Sequence, residues 1–181
     1  VLFPVYCRVQ DDNARFRVGY TKTLTFISLV SFPLMAGLAI VAPEFIPAIY
    51  GEKWLPVMLP LQILCFSGAT GSIIDPIGAL LNAKGRPDIG LRWNVGVLPI
   101  TVTALWIGAR WGTAGIAAAM SLLTLWAIFP IRAGLRLIGL RPSEFFKALA
   151  PAAGGAAIMA AALVLLKAVL APVLAAWPAW A

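Results

Sequence analysis

The chain has 181 residues, of which 61% are hydrophobic and only 12% charged, against roughly 45–50% and about 25% in soluble domains. So few ionisable side chains cannot coat a 19.2 kDa globule, which excludes a water-soluble fold and makes lipid part of the solvent. The net charge of +7 sits in short clusters between apolar runs rather than along one polar face, which argues against a nucleic-acid partner and for membrane orientation.

The chain opens with Val1-Leu-Phe-Pro4, without an initiator Met, and stops within an apolar stretch. Both ends read as cuts, so a piece of a longer protein is expected. Residues 1–22 are read as a cytoplasmic or interfacial segment. From Arg8 to Lys22 they mix charges with Phe16, Val18 and Tyr20, the composition of a short helix lying at a membrane surface.

An α-helix rising 1.5 Å per residue needs about 20 apolar residues to cross a hydrocarbon core of about 30 Å. Lys22 and Glu44 enclose 21 uncharged residues, and Lys53 and Asp75 another 21, with 8 more before Lys84. Arg92 and Arg110 enclose 17, Arg110 and Arg132 enclose 21, and Lys147 and Lys167 enclose 19. Residues 23–166 are therefore predicted to be an all-α, polytopic membrane bundle of about five spans. After Lys167 only 14 residues remain, with Pro172 and Pro178 among them, so 167–181 is expected to be the truncated start of a sixth helix.

Cationic loops are retained on the cytoplasmic side during insertion. The inter-span segments alternate between rich and poor in Lys and Arg: Arg8, Arg15, Arg17 and Lys22, then Lys53, then Lys84, Arg86 and Arg92, then Arg110, then Arg132, Arg136, Arg141 and Lys147, then Lys167. The residue 1 end is thereby assigned to the cytoplasm. Trp54, Trp93 and Trp111 begin apolar runs, where an indole favours the headgroup level.

Few residues could carry chemistry. There is no His, and Cys7 and Cys65 lie in unlike settings, so no zinc site, disulfide framework or cofactor is expected. The outward segments offer only Glu44, Glu52, Lys53, Arg110 and Lys167, no catalytic constellation, and the chain is not expected to be an enzyme. Pro33, Pro76 and Pro99 fall near the middle of three spans, each removing a helix hydrogen bond, and are candidate hinges. Asp75 is the sole ionisable residue inside an expected span, where a charge costs at least about 2.5–3.5 kcal/mol. Counted from Lys84 it lies about 13 Å deep. One reading is proton or sodium-ion coupling during transport; the other is that Asp75 followed by Pro76 caps a half-helix beginning at the kink.

The runs Leu2-Phe-Pro-Val-Tyr-Cys-Arg-Val-Gln-Asp-Asp12, Ser31-Phe-Pro-Leu-Met-Ala-Gly37, Gly51-Glu-Lys-Trp54, Leu61-Gln-Ile-Leu64, Leu80-Leu-Asn-Ala-Lys-Gly-Arg-Pro-Asp88 and Trp111-Gly-Thr-Ala-Gly-Ile-Ala117, in this order and spacing, resemble oligosaccharide flippases of the multidrug/oligosaccharidyl-lipid/polysaccharide exporter superfamily. The resemblance implies a transporter of about fourteen helices in two pseudo-symmetric bundles around a cavity, of which this chain looks like the ninth to thirteenth helices and the start of the fourteenth. It implies a bacterial inner-membrane protein that turns undecaprenyl-pyrophosphate-linked sugar repeat units from the cytoplasmic to the periplasmic leaflet. The implied partners are the bilayer, the lipid-linked oligosaccharide and the remaining N-terminal helices. Arg86, Arg92, Arg132 and Arg136 become candidate contacts for the diphosphate on entry. A drug or small-molecule exporter of the same superfamily, and an integral membrane enzyme of envelope synthesis, are the alternative functions.

Overall fold

The computed structural model describes residues 12–175. Helix α1, Asn13–Tyr50, starts where the Asp12 carboxylate accepts hydrogen bonds from the backbone N–H groups of Ala14 (2.9 Å) and Arg15 (3.0 Å). It ends at Gly51, whose φ of 85° is open to glycine at little strain. Its 38 residues extend about 57 Å, well beyond the hydrocarbon core. The 21 uncharged residues between Lys22 and Glu44 fill about 30 Å of that length, so residues 13–22 project past the core at one end and 44–50 at the other. The stretch expected as a separate helix along the interface is, from Asn13 on, the continuous start of the first span. Phe16, Tyr20 and Leu24, at a spacing of four, are buried against the protein.

A 3-10 turn, Glu52–Val57, leads into α2, Met58–Ala83, and α3 follows at Pro87–Gly108. Then come α4, Gly112–Leu125, α5, Ile128–Ile138, and α6, Pro142–Ala175. Among the described residues four helical stretches are long and apolar enough to cross a membrane. One of them, Pro87–Ile138, spans 52 residues and folds back on itself. Trp93 and Phe129 would be about 54 Å apart on a straight helix, yet their ring centroids lie 5.8 Å apart. The reversal is at Ala109–Trp111 and Gly112, the latter with φ 69°, and the crossings therefore number five.

Side-chain contacts give their directions. Gln62 reaches Ala39 and Lys84 reaches Asn13, so α1 and α2 are antiparallel. Thr25 reaches Ala148 and Lys167 reaches Ile40, so α1 and α6 are parallel. Ser67 meets Ser121 and Thr70 meets Thr124, a constant offset that makes α2 and α4 parallel. Across the bundle the neighbours run α6, α1, α2, α4, α3, each step of the chain reversing direction.

Two kinds of packing hold the helices. At the end shared by the turns at Gly85 and Gly139, Phe16, Tyr20, Leu24, Ile77, Leu80, Ile138 and Phe145 form a continuous apolar core. Deeper in the span, contacts are polar or rest on small residues, as expected where lipid removes the hydrophobic drive between helices. The Ser121 hydroxyl donates to the Ile63 carbonyl (3.0 Å) and so accepts from Ser67 (2.7 Å); one turn on, Thr70 donates to Thr124 (3.1 Å). Large apolar side chains such as Phe26, Leu34, Leu98, Trp106, Ile158 and Leu165 remain exposed, a surface suited to lipid or to further helices and untenable in water.

The chain departs from the expected spans in one further place. Residues 167–175, expected to begin a further helix, continue α6 without interruption, and 176–181 lie outside the described residues. Pro172 does not stop the helix at that point because the pyrrolidine removes only one backbone bond and neighbouring turns carry the rest.

Candidate functional site: a cationic end and a polar clamp

Antiparallel alternation gathers the Lys- and Arg-rich segments at one end of the bundle. Lys84 Nζ donates to Asn13 Oδ1 (2.7 Å) and stands 4.8 Å from the centre of the Phe16 ring. Arg17 Nη2 donates to the carbonyl of Ile138 (3.3 Å), at the C-terminus of α5, where a cation complements the helix dipole. Asp12, besides capping α1, pairs with Arg15 (3.3 Å). Its two backbone hydrogen bonds, that to Arg15 foremost, hold its carboxyl below the usual range. Arg8 lies outside the described residues.

The four arginines singled out for a diphosphate all stand at this end but in different states. Arg86 is engaged: its Nε and Nη2 donate to the two carboxylate oxygens of Asp88 at 2.9 and 3.2 Å. That pair raises the arginine's pKa and lowers that of the aspartate, the hydrogen bond being the main cause. Arg92, Arg132 and Arg136 are exposed and make no ion pair among the described residues. Arg132 and Arg136 share one face of α5, whose opposite face buries Pro130, Gly134, Leu135 and Ile138.

Asp75 does not begin a half-helix. Helix α2 runs through it and Pro76 without a break, starting instead after Val57, so the capping role expected of Asp75 is not realised. Pro76 is tolerated inside the helix because its ring packs in the core, where it is fully buried. Depth is also revised. Gln62 is level with Ala39 and Lys84 with Asn13, which places Asp75 beside about residue 24 of α1 and only about 3 Å inside the level of Lys22. Lys84 had served as the boundary marker, but α1 and α2 both project beyond the core there. Pro33 and Pro99 likewise lie inside unbroken helices.

The interruption within a span falls elsewhere, at Trp126–Ala127 between α4 and α5. Pro130 stands four residues after Trp126 and has no N–H for that carbonyl, which accepts instead from the Phe129 backbone N–H at 3.3 Å. The sequence signal was present, but Pro130 lies two residues from Arg132 and reads as the edge of a loop.

A polar clamp on the far half of α1 was also missed. Pro43 has no N–H for the carbonyl of Ala39, and Gln62 Nε2 supplies the missing donor at 2.8 Å. One residue on, Lys167 Nζ donates to the Ile40 carbonyl and pairs with Glu44 at 2.6 Å. Inward of these contacts α1, α2 and α6 line a cleft of about 380 Å³, with Phe32, Met35, Ala36, Gln62, Phe66 and Ala153 among its walls. No group of three His, Cys, Asp or Glu residues suited to a metal occurs among the described residues.

Comparison with known proteins adds kinship to this geometry. Residues 1–59 match the family model of a polysaccharide biosynthesis protein. The chain is 39% identical over 110 residues to lipopolysaccharide biosynthesis protein WzxC of Escherichia coli (strain K12), covering 61% of this chain and 22% of that protein. It is 39% identical over 111 residues to a membrane protein in the cps region of Klebsiella pneumoniae, covering 61% and 23%. To teichuronic acid biosynthesis protein TuaB of Bacillus subtilis (strain 168) it is 35% identical over 113 residues, covering 62% and 23%. The chain spans less than a quarter of the length of these relatives. No solved structure matches.

Proposed function

We propose, taking as premise that this multi-pass membrane chain is related to polysaccharide biosynthesis proteins, that it is part of a flippase. The whole protein carries undecaprenyl-pyrophosphate-linked oligosaccharide repeat units from the cytoplasmic to the periplasmic leaflet of the bacterial inner membrane. The observation that carries this reading is the pair of relatives named for lipopolysaccharide and for teichuronic acid biosynthesis. These are different polymers from different cell envelopes, and a need they share is passage of a polar glycan across a membrane.

The physical chemistry is compatible. A lipid-linked diphosphate requires cations where its head enters and a route for its tail along apolar helices. In the orientation that the Lys and Arg distribution favours, the cationic end faces the cytoplasm, and Arg86 and Arg92 flank the turn between α2 and α3. The substrate diphosphate can replace the Asp88 carboxylate on Arg86, since both present paired oxygens to the planar fork of a guanidinium. No enzymatic step is assigned to this chain: its outward connections are short, and translocation needs no covalent chemistry.

Deleting the gene for the whole protein is expected to remove a surface polysaccharide while the lipid-linked precursor is still made and accumulates. Extraction and mass spectrometry of polyprenyl-diphosphate sugars, alongside staining of the surface polymer, provide the measurement. Loss of the precursor itself would overturn the reading in favour of a biosynthetic enzyme, and an unchanged surface polymer with raised drug sensitivity would favour a small-molecule exporter.

A further inference from the structure

We propose that the arginine face of α5 and the aromatic residues beside it form a binding site for anionic phospholipid headgroups of the surrounding bilayer. This goes beyond the transport reading and does not depend on it. It leaves Arg86 and Arg92, rather than the α5 pair, to the transported diphosphate.

The case begins with depth. Arg17 reaches the carbonyl of Ile138, so the C-terminus of α5 is level with the first turns of α1. Following α5 back by six residues brings Arg132 about 9 Å inward, level with Lys22, the last charge of α1 before its 21 uncharged residues. Arg136 stands one turn further out, while Phe129 and Trp126 lie beside the uncharged stretch. The arginines are thus at headgroup level and the aromatic rings just below it, the layering expected of an interfacial anchor.

Next is exposure and charge. Arg132 and Arg136 are exposed, one turn apart, and free of ion pairs among the described residues. Of the described carboxylates at this end, Asp88 is engaged with Arg86, Asp12 with the start of α1 and Glu144 with the Arg141 backbone N–H at 3.2 Å, while Asp75, exposed on α2, pairs with neither α5 arginine. The buried face of α5, Pro130 to Ile138, packs on α2: a Cβ added at Gly134 would be in ordinary van der Waals contact with Ile77 (3.4 Å) and Leu80 (3.5 Å). With that face against α2, Arg132 and Arg136 stand on the exposed side of the helix.

The aromatic side completes the site. Trp126 and Phe129 are 48% and 58% exposed, and Phe129 contacts both Trp126 (6.5 Å between centroids) and Trp93 (5.8 Å). The three rings, carried by α3, α5 and the break before it, make a shelf on which the glycerol and upper acyl chain can rest while the phosphate meets the arginines. An anionic headgroup at the cytoplasmic leaflet is the occupant whose charge and depth both fit.

The test uses the full-length protein with Trp93 and Trp126 retained and its other tryptophans replaced by Phe, reconstituted in phosphatidylcholine vesicles. Quenching of these two indoles by brominated phosphatidylglycerol is compared with quenching by brominated phosphatidylcholine. The anionic lipid is expected to compete more strongly, with a preference that falls about fivefold for each of Arg132→Gln and Arg136→Gln, persists in the double Lys variant, and shrinks as salt is raised. Equal quenching by the two lipids in the parent protein would overturn the proposal. So would a preference that survives both Gln substitutions, or one insensitive to salt, which can be measured even where a variant fails to fold. No polyprenyl diphosphate is present in these vesicles, so the outcome is independent of whether the protein is a flippase.

Discussion

At the scale of single residues, Pro43 and Gln62 form a matched pair. The proline strips one donor from α1, and the glutamine on α2 returns it to the same carbonyl at 2.8 Å. In hydrocarbon no water can substitute, so the interaction is conditional on the proline. Gln62→Leu in the full-length protein is expected to lower unfolding stability by about 0.6 kcal/mol, the average for hydrogen bonds between membrane helices, and by no more than about 1.7 kcal/mol, their measured maximum. With Pro43→Ala the backbone bond re-forms, and the same Gln62→Leu change should have a markedly smaller effect. A double-mutant cycle by denaturant titration in mixed micelles measures the difference; additivity of the two changes would show that Gln62 acts independently of the proline.

At the scale of elements, the α3–α4 hairpin depends on two glycines. A Cβ on Gly108 would lie 2.6 Å from the backbone oxygen of Gly115, and one on Gly115 would collide with the backbone oxygen of Gly108. Backbone on both sides leaves nothing flexible to yield, and close approach at small residues is the main attraction between helices in lipid. Gly108→Ala or Gly115→Ala is therefore expected to reduce the yield of folded full-length protein sharply. Gly96→Ala, on the same helix with open space around its Cβ, should leave it unchanged. Monodispersity in size-exclusion chromatography of detergent extracts reports both.

At the scale of the whole molecule, alternation of direction places Gly51 and Arg110 at one end and Arg86 and Arg141 at the other. With the cationic end inward, single cysteines at 52, beside Gly51, and at 110 in an otherwise cysteine-free protein should label in intact cells with a membrane-impermeant thiol reagent, and those at 86 and 141 only after permeabilisation. Labelling of the second pair in intact cells would invert the molecule. The Lys167–Glu44 ion pair would then face the cytoplasm instead of the periplasm.

Class and span number followed from one-dimensional quantities. The shortage of charge and the length of uncharged runs dictate a membrane bundle, because hydrocarbon admits only apolar stretches with internally satisfied backbone. The spacing of Lys and Arg dictates which segments share an end. Where each helix begins and stops was less legible, because a helix supported by neighbours need not end where its charges begin. So α1 absorbs residues 13–22, α6 absorbs 167–175, and Asp75 comes within about a turn of the Lys22 level. The arginines could be named from the sequence, but which were free could not. Asp88 claims Arg86 through a turn, and α5 holds Arg132 and Arg136 outward through contacts with residues more than fifty positions away. Likewise, Pro43 reads as a loss of one hydrogen bond until Gln62 and Ala39 are brought together by the antiparallel packing of α1 and α2. Such pairings are decided by tertiary structure, since a donor and an acceptor on different helices have no fixed separation along the chain.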